Sequence, residues 1–124
     1  MAKTGKILIV DDEKPLARAL ELKLKHAGFE AKSVLDGREA IELLEKENFD
    51  LMLLDLVMPN LDGFGVLNEI NSKGIKVRVI VVSNLSQKED SEKSKELGAI
   101  DYFVKSDVPI SDIVERVKRT MANV

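Results

Sequence analysis

Leu51-Met52-Leu53-Leu54-Asp55 sets four consecutive large apolar residues against a closing carboxylate. A run so short, with no polar residue inside it, reads as a strand buried on both faces. Such strands belong to parallel sheets covered by helices on each side. Upstream, Ile7-Leu8-Ile9-Val10 has the same character and stops abruptly at Asp11-Asp12-Glu13. Downstream, Val77 to Val82 is interrupted only by Arg78, and Ile100 to Val104 carries Tyr102 and Phe103. Glu30 to Leu35 is a fifth, weaker strand.

Helix-period segments fill the gaps between these runs. Leu16, Leu20 and Leu24 recur every four residues, with Pro15 suited to the first turn and Gly28 to the end. Asp36 is a candidate N-cap for a helix bearing Ala40, Ile41, Leu43 and Leu44. Asp62-Gly63 opens a helix with Phe64, Leu67 and Ile70 on one side, and Gly74 stops it. Ser86 to Leu97 is a charged helix with almost no large apolar residue. The last helix starts at Pro109 and carries the stripe Ile110, Ile113, Val114, Val117 and Met121. Strand and helix alternate throughout, which predicts an α/β, doubly wound, five-stranded parallel sheet with five helices.

The chain has 124 residues, enough for one domain and too few for two ordinary ones. Hydrophobic residues are 44% and charged ones 33%, a globular balance rather than a disordered one. No Pro/Gly/Ser-rich linker divides it, so residues 1–124 are expected to form a single domain, with 1–5 as a flexible tail. The net charge of −3 argues against a nucleic-acid binder, whose footprint is a basic face. No apolar run is long enough for a membrane span or a signal-peptide core. With no cysteine, thiolate metal sites and disulfides are excluded and a reducing compartment suits the chain. These features predict a cytoplasmic domain.

In an open parallel sheet, ligands bind at the carboxyl ends of the strands. Asp11 and Asp12 follow the first strand, Asp55 the third, Ser83 and Asn84 the fourth, and Lys105 the fifth. Three carboxylates, a hydroxyl and an ammonium therefore converge on one edge. Carboxylates this close repel, and a hard divalent cation relieves the repulsion. With few ligands and neither histidine nor cysteine among them, the ion is expected to be Mg²⁺, or Mn²⁺, with water completing an octahedron. A partly caged cation beside a lysine and a hydroxyl suits a phosphoryl group, which a carboxylate oxygen of Asp55 can attack to give an aspartyl phosphate.

Four runs then stand in register. Ile9-Val10-Asp11-Asp12-Glu13, Leu54-Asp55-Leu56-Val57-Met58-Pro59-Asn60-Leu61-Asp62-Gly63, Val82-Ser83 and Tyr102-Phe103-Val104-Lys105 resemble the receiver domain of two-component response regulators. The resemblance covers the whole chain. It implies a flavodoxin-like, CheY-like fold with strand order 2-1-3-4-5. It further implies Asp55 as phosphoacceptor, and Mg²⁺ held by Asp12, Asp55 and the Val57 backbone carbonyl, with Asp11 acting largely through water. Lys105 would pair with the phosphoryl or acceptor oxygens, Ser83 would be the switch hydroxyl, and Tyr102 the aromatic that turns inward with it. The donor implied is a histidine kinase or phosphotransfer protein, or a small phosphodonor, and the output is a protein target met by the helix 4, strand 5, helix 5 face. No effector segment follows the last helix, so a stand-alone receiver is expected. Such a protein accepts a phosphoryl group and loses it slowly, without turning over as an enzyme.

Plainer readings exist for each residue. Taken alone, Asp11-Asp12 is a solvated strand end, or Asp12 an N-cap, and Ser83 a turn residue. His26, at a helix C-terminus, favours the dipole rather than a phosphohistidine role. Gly63-Phe64-Gly65 follows no strand and is no dinucleotide fingerprint. An acidic first loop would repel the phosphate of a flavin, which excludes a flavodoxin-type carrier. The remaining alternative is a phosphorylation-independent interaction module. Two departures from the family stand out: Ser106 where proline usually follows the lysine, so a trans bond is expected there, and Asn84 where a small residue usually follows the hydroxyl.

Overall fold

The computed structural model describes residues 5–122. Five parallel strands alternate with five helices: β1 (Lys6–Val10), α1 (Lys14–His26), β2 (Glu30–Val34), α2 (Gly37–Lys46), β3 (Leu51–Leu54), α3 (Gly63–Lys73), β4 (Arg78–Ser83), α4 (Lys88–Glu96), β5 (Asp101–Val104) and α5 (Ile110–Ala122). The sheet order is β2-β1-β3-β4-β5. The chain is a five-stranded doubly wound sheet of the CheY-like, flavodoxin-like type.

Alternation along the three central strands sorts their side chains onto two cores. Leu8, Val10, Met52, Leu54, Val79 and Val81 face one side, where Ala40, Ile41 and Leu44 of α2 and Val66, Leu67 and Ile70 of α3 meet them. Ile7, Ile9, Leu51, Leu53, Ile80 and Val82 face the other, against Ala17, Leu20 and Leu24 of α1 and Ile113, Val114, Val117 and Met121 of α5. A slip of one residue would exchange the two sets, so register is firmly specified. Val10 pairs with Leu54, Leu54 with Val81, and Ser83 with Val104. The strand ends are thereby aligned.

Helix ends follow their local chemistry. The Asp36 side chain accepts from the Glu39 N–H, and Asp62 from the Gly65 N–H, as N-caps. Gly74 closes α3 in the left-handed conformation, at φ 68°. Several boundaries differ from expectation by a residue or two. β1 begins at Lys6, β4 runs Arg78–Ser83 rather than from Val77, and β5 begins at Asp101, with Ile100, 49% exposed, just ahead of it and its N–H donating to the Val79 carbonyl at 2.8 Å. α4 covers Lys88–Glu96 rather than 86–97, and Gln87 at its N-cap makes no side-chain cap bond. Of the expected tail, residues 1–4 lie outside the described residues. Gly5 is held to the sheet: its carbonyl accepts from the Glu30 N–H at 2.9 Å.

Candidate functional site

The site grows out of backbone hydrogen bonds at the carboxyl edge. The Asp55 N–H donates to the Val10 carbonyl at 2.9 Å, the Asp11 N–H to Val34 at 3.2 Å, and the Lys105 N–H to Ser83 at 2.9 Å. Each chemically useful residue is thus anchored one step beyond a paired strand residue. Asp11 and Asp55 are 3% and 4% exposed, while Asp12 is exposed. Carboxylate oxygens of these three residues lie within 4.8 Å of one another.

One ammonium faces the cluster. Lys105 Nζ lies 2.8 Å from Asp11 Oδ2, 3.1 Å from Asp55 Oδ2 and 2.5 Å from Glu13 Oε1. Burial disfavours the charged amine. Hydrogen bonds to Asp11 and Glu13 and the charges of Asp11 and Asp55 outweigh it, so Lys105 is held protonated above its ordinary range. Asp11 moves upward: burial is the largest influence, exceeding the opposing pull of Lys105 and the Glu13 N–H. A buried carboxylate that resists ionisation beside two more carboxylates is an environment in which added positive charge is favourable.

The other expected residues fall on the same edge. The Ser83 hydroxyl is fully buried and accepts from the Leu85 N–H at 3.3 Å. Tyr102 is half-buried, and its hydroxyl donates to the Leu85 carbonyl at 2.6 Å. Burial raises the phenol's pKa, with the Asp90 and Asp55 charges adding to it. The Val57 N–H donates to Asp55 Oδ1 at 3.3 Å, and the Val57 side chain is 57% exposed. Leu85 packs against the α2/α3 core, so its side chain is no free solvent-facing group. Asn84 is exposed. No cis peptide occurs among the described residues, in line with Ser106 after Lys105. His26 sits in the last turn of α1 beside Lys23 and Lys25.

Three contacts had no specific signal in the sequence. Glu13 is the N-cap residue of α1, yet its carboxylate makes no cap bond and reaches Lys105 instead. Asn60 adopts φ 69° and donates to Asp36 Oδ2 at 2.8 Å, tying the loop after β3 to the start of α2. Gly63 lies so close to this loop that an added Cβ would stand 2.4 Å from the Asp55 carbonyl oxygen. Only glycine fits there.

The family model of the response regulator receiver domain matches residues 7–118. The chain belongs to this family. The receiver domain is 38% identical to a probable transcriptional regulator, ycf27, of Porphyridium aerugineum, over 95% of this chain and 51% of the relative. It spans about half the length of the curated relatives it matches, or somewhat less. Among solved structures, the receiver domain of Francisella response regulator 1452 superposes with a TM-score of 0.89 at 29% identity, covering 96% of this chain and 98% of that one. The response regulator TrrA of Thermotoga maritima, in complex with Mg²⁺ and BeF, gives 0.80 at 30% identity, covering 93% and 97%. The receiver domain is therefore that of a two-component response regulator, and among its described residues no helix is long and apolar enough to cross a membrane.

Proposed function

We propose that this receiver domain is a phosphoacceptor switch that takes a phosphoryl group onto Asp55 from a histidine kinase or phosphotransfer protein and presents a changed α4, β5, α5 face to a downstream protein. The observation that carries the reading is Lys105 Nζ at 3.1 Å from Asp55 Oδ2, beside carboxylates of Asp11, Asp12 and Asp55 within 4.8 Å of one another.

Those oxygens fit a Mg²⁺ or Mn²⁺ site. Ligand oxygens about 2.1 Å from one ion are separated by roughly 3 to 4 Å, compatible with the observed spread. Asp12, Asp55 and the Val57 carbonyl would hold the ion, with Asp11 supporting through water. When bound, it supplies positive charge that neutralises the carboxylates and the incoming phosphoryl oxygens.

The chain's own groups do the rest. A carboxylate oxygen of Asp55 attacks phosphorus in line. The P–N bond of the donor phosphohistidine breaks, and its electron pair leaves on the imidazole nitrogen, which takes a proton from solvent. Lys105 donates to the phosphoryl oxygens and holds their charge. Ser83 turns its hydroxyl toward the new phosphoryl group, and Tyr102, through the Leu85 carbonyl, follows the β4–α4 loop. The protein is a stoichiometric switch of the cytoplasm, not a turnover enzyme.

Incubation with acetyl phosphate and Mg²⁺ is expected to add one phosphoryl group by intact mass, and Asp55→Asn to abolish the addition. A phosphorylated Asp55→Asn protein overturns the assignment. Wild-type protein that binds neither Mg²⁺ nor beryllofluoride favours the phosphorylation-independent module instead.

A further inference from the structure

Lys105 carries three N–H donors, and three carboxylates face them. Asp11 and Asp55 are fixed partners, with side chains 4% and 5% exposed on the ends of buried strands. Glu13 differs in kind. Its side chain is 52% exposed and rises from the N-cap of α1, yet it approaches the ammonium most closely of the three. Ser, Thr, Asp and Asn at an N-cap turn their side chains onto the helix's free N–H groups, and the longer Glu is not one of these capping residues. Glu13 leaves those N–H groups and crosses to a lysine 92 residues away. Its own N–H meanwhile donates to Asp11 Oδ1 at 2.8 Å, which fixes its backbone beside the cluster.

A phosphoryl group arriving at Asp55 needs an N–H of Lys105, and none is spare. Asp11 and Asp55 are held in place by the buried strand ends that carry them, with side chains 4% and 5% exposed. Glu13, 52% exposed, can rotate into solvent and stay hydrated, giving up only its bond to Lys105. Resting on the phosphoacceptor reading above, we propose that Glu13 is a positioning residue that occupies, in the unphosphorylated protein, the donor of Lys105 that a phosphoryl oxygen takes over. Glu13 thereby orients the ammonium in the resting state and restrains phosphorylation until a donor displaces it. Charge-assisted hydrogen bonds are among the stronger ones, so the restraint is measurable.

Two variants separate the hydrogen bond from the charge. Glu13→Gln removes the charge and keeps the length, while Glu13→Asp keeps the charge and draws it back from Lys105 by one methylene. Both are expected to accept phosphoryl groups from acetyl phosphate faster than wild type, Glu13→Gln by about tenfold, equivalent to about 1.4 kcal/mol of barrier. In a Lys105→Ala background the acceleration should vanish, because the effect runs through the ammonium. A second readout needs neither metal nor transfer: in ¹⁵N-edited NMR of metal-free protein, the Lys105 ammonium protons should exchange with solvent severalfold faster in both variants. Unchanged Lys105 exchange overturns the proposal, as does a wild-type rate in Glu13→Asp or a gain that persists without Lys105. Wild-type protein that is never phosphorylated refutes the phosphoacceptor reading instead, and the NMR comparison still decides the resting-state contact.

Discussion

Helix α4 is the least firmly held helix of the receiver domain, and hydrogen exchange should reveal it. α5 buries Ile113, Val114, Val117 and Met121. At about 1.5–3 kcal/mol for each fully buried side chain, its docking is worth roughly 6–12 kcal/mol before the cost of ordering. α4 buries Ser94 alone, whose hydroxyl is spent on the Asp90 and Ser91 carbonyls of its own helix at 2.8 and 3.1 Å. What holds α4 lies at its rim and its end: Leu97 at its C-cap packs, partly buried, on the α2/α3 core, Lys93 Nζ stands 4.3 Å from the Phe64 ring centre, and Asn71 Nδ2 donates to the Leu97 carbonyl at 2.8 Å. The last two contacts contribute roughly 0.5–1 and about 1 kcal/mol respectively, and the half-buried Leu97 about 1 kcal/mol more. The two helices should therefore differ in opening free energy by at least about 3 kcal/mol, or more than a hundredfold in exchange rate. Exchange followed by NMR would compare amides 91–96 with 114–121 in metal-free protein, then with Mg²⁺ and beryllofluoride, which should slow the α4 set. Asn71→Ala should speed that set about fivefold further, corresponding to about 1 kcal/mol. Equal protection of α4 and α5 in the metal-free protein would refute the reasoning.

Gly63→Ala forces its Cβ against the Asp55 carbonyl oxygen and the Leu56 Cα, 2.4 and 2.7 Å away, and backbone atoms do not yield cheaply. A loss of about 1–3 kcal/mol in urea unfolding and slower phosphorylation are expected, and an unchanged midpoint counts against the close approach. Glu21 is held below the ordinary carboxylate range by hydrogen bonds from Lys25 and Ser33, the small effect of burial opposing them. The stability this gives is present above the unfolded pKa near 4.5 and is lost as pH falls through the lower folded value. The difference between wild type and Glu21→Gln seen at pH 7 should therefore shrink toward pH 3, and a constant gap refutes it. Val57, exposed and two residues beyond Asp55, offers no hydrogen bond to a hydrolytic water, so the phosphorylated state should last minutes to hours. Val57→Asn should shorten it by roughly tenfold if about 1.4 kcal/mol of barrier is recovered, measured as loss of phosphoryl label; a wild-type half-life of seconds contradicts this.

How much of this was legible in the sequence depended on the range of the interaction. β1, β3 and β4 announced themselves because both faces are buried, leaving uninterrupted apolar runs. β2 read weakly for a physical reason: at the sheet edge it buries only Ala31 of its five residues, and Glu30 and Lys32 face solvent. The convergence of Asp11, Asp12, Asp55, Ser83 and Lys105 followed from strand ends in a parallel sheet, a topological consequence that needs no side-chain detail. The contacts among those side chains did not follow. The Asp36–Asn60 and Glu13–Lys105 pairs join residues 24 and 92 positions apart through rotamers that no periodicity encodes. Glu13 stood in plain view as the third acid of its run, but nothing local says that it leaves its own helix for Lys105.

The division of labour within the fold then has an energetic meaning. Asp11 and Asp55 sit at the ends of strands whose side chains are packed on both faces, so the proposed acceptor cannot move without disturbing two cores. The proposed readout face is built from the opposite material: an edge strand whose four residues are all only partly buried, and a helix with one buried serine. Between them runs a short chain of contacts, in which Leu85 donates its N–H to the Ser83 hydroxyl and accepts the Tyr102 hydroxyl on its carbonyl. A ligand shifts a two-state equilibrium only by its differential affinity for the two states. One hydroxyl and one ammonium newly bonded to a phosphoryl group would supply a few kcal/mol of that difference. Against a helix docked by four buried apolar side chains such a sum would be absorbed without effect. Against α4, held by Leu97, one cation–π contact and one hydrogen bond, it is comparable to what holds the helix down, so on the proposed reading it is at α4 that a phosphoryl group on Asp55 would have its leverage.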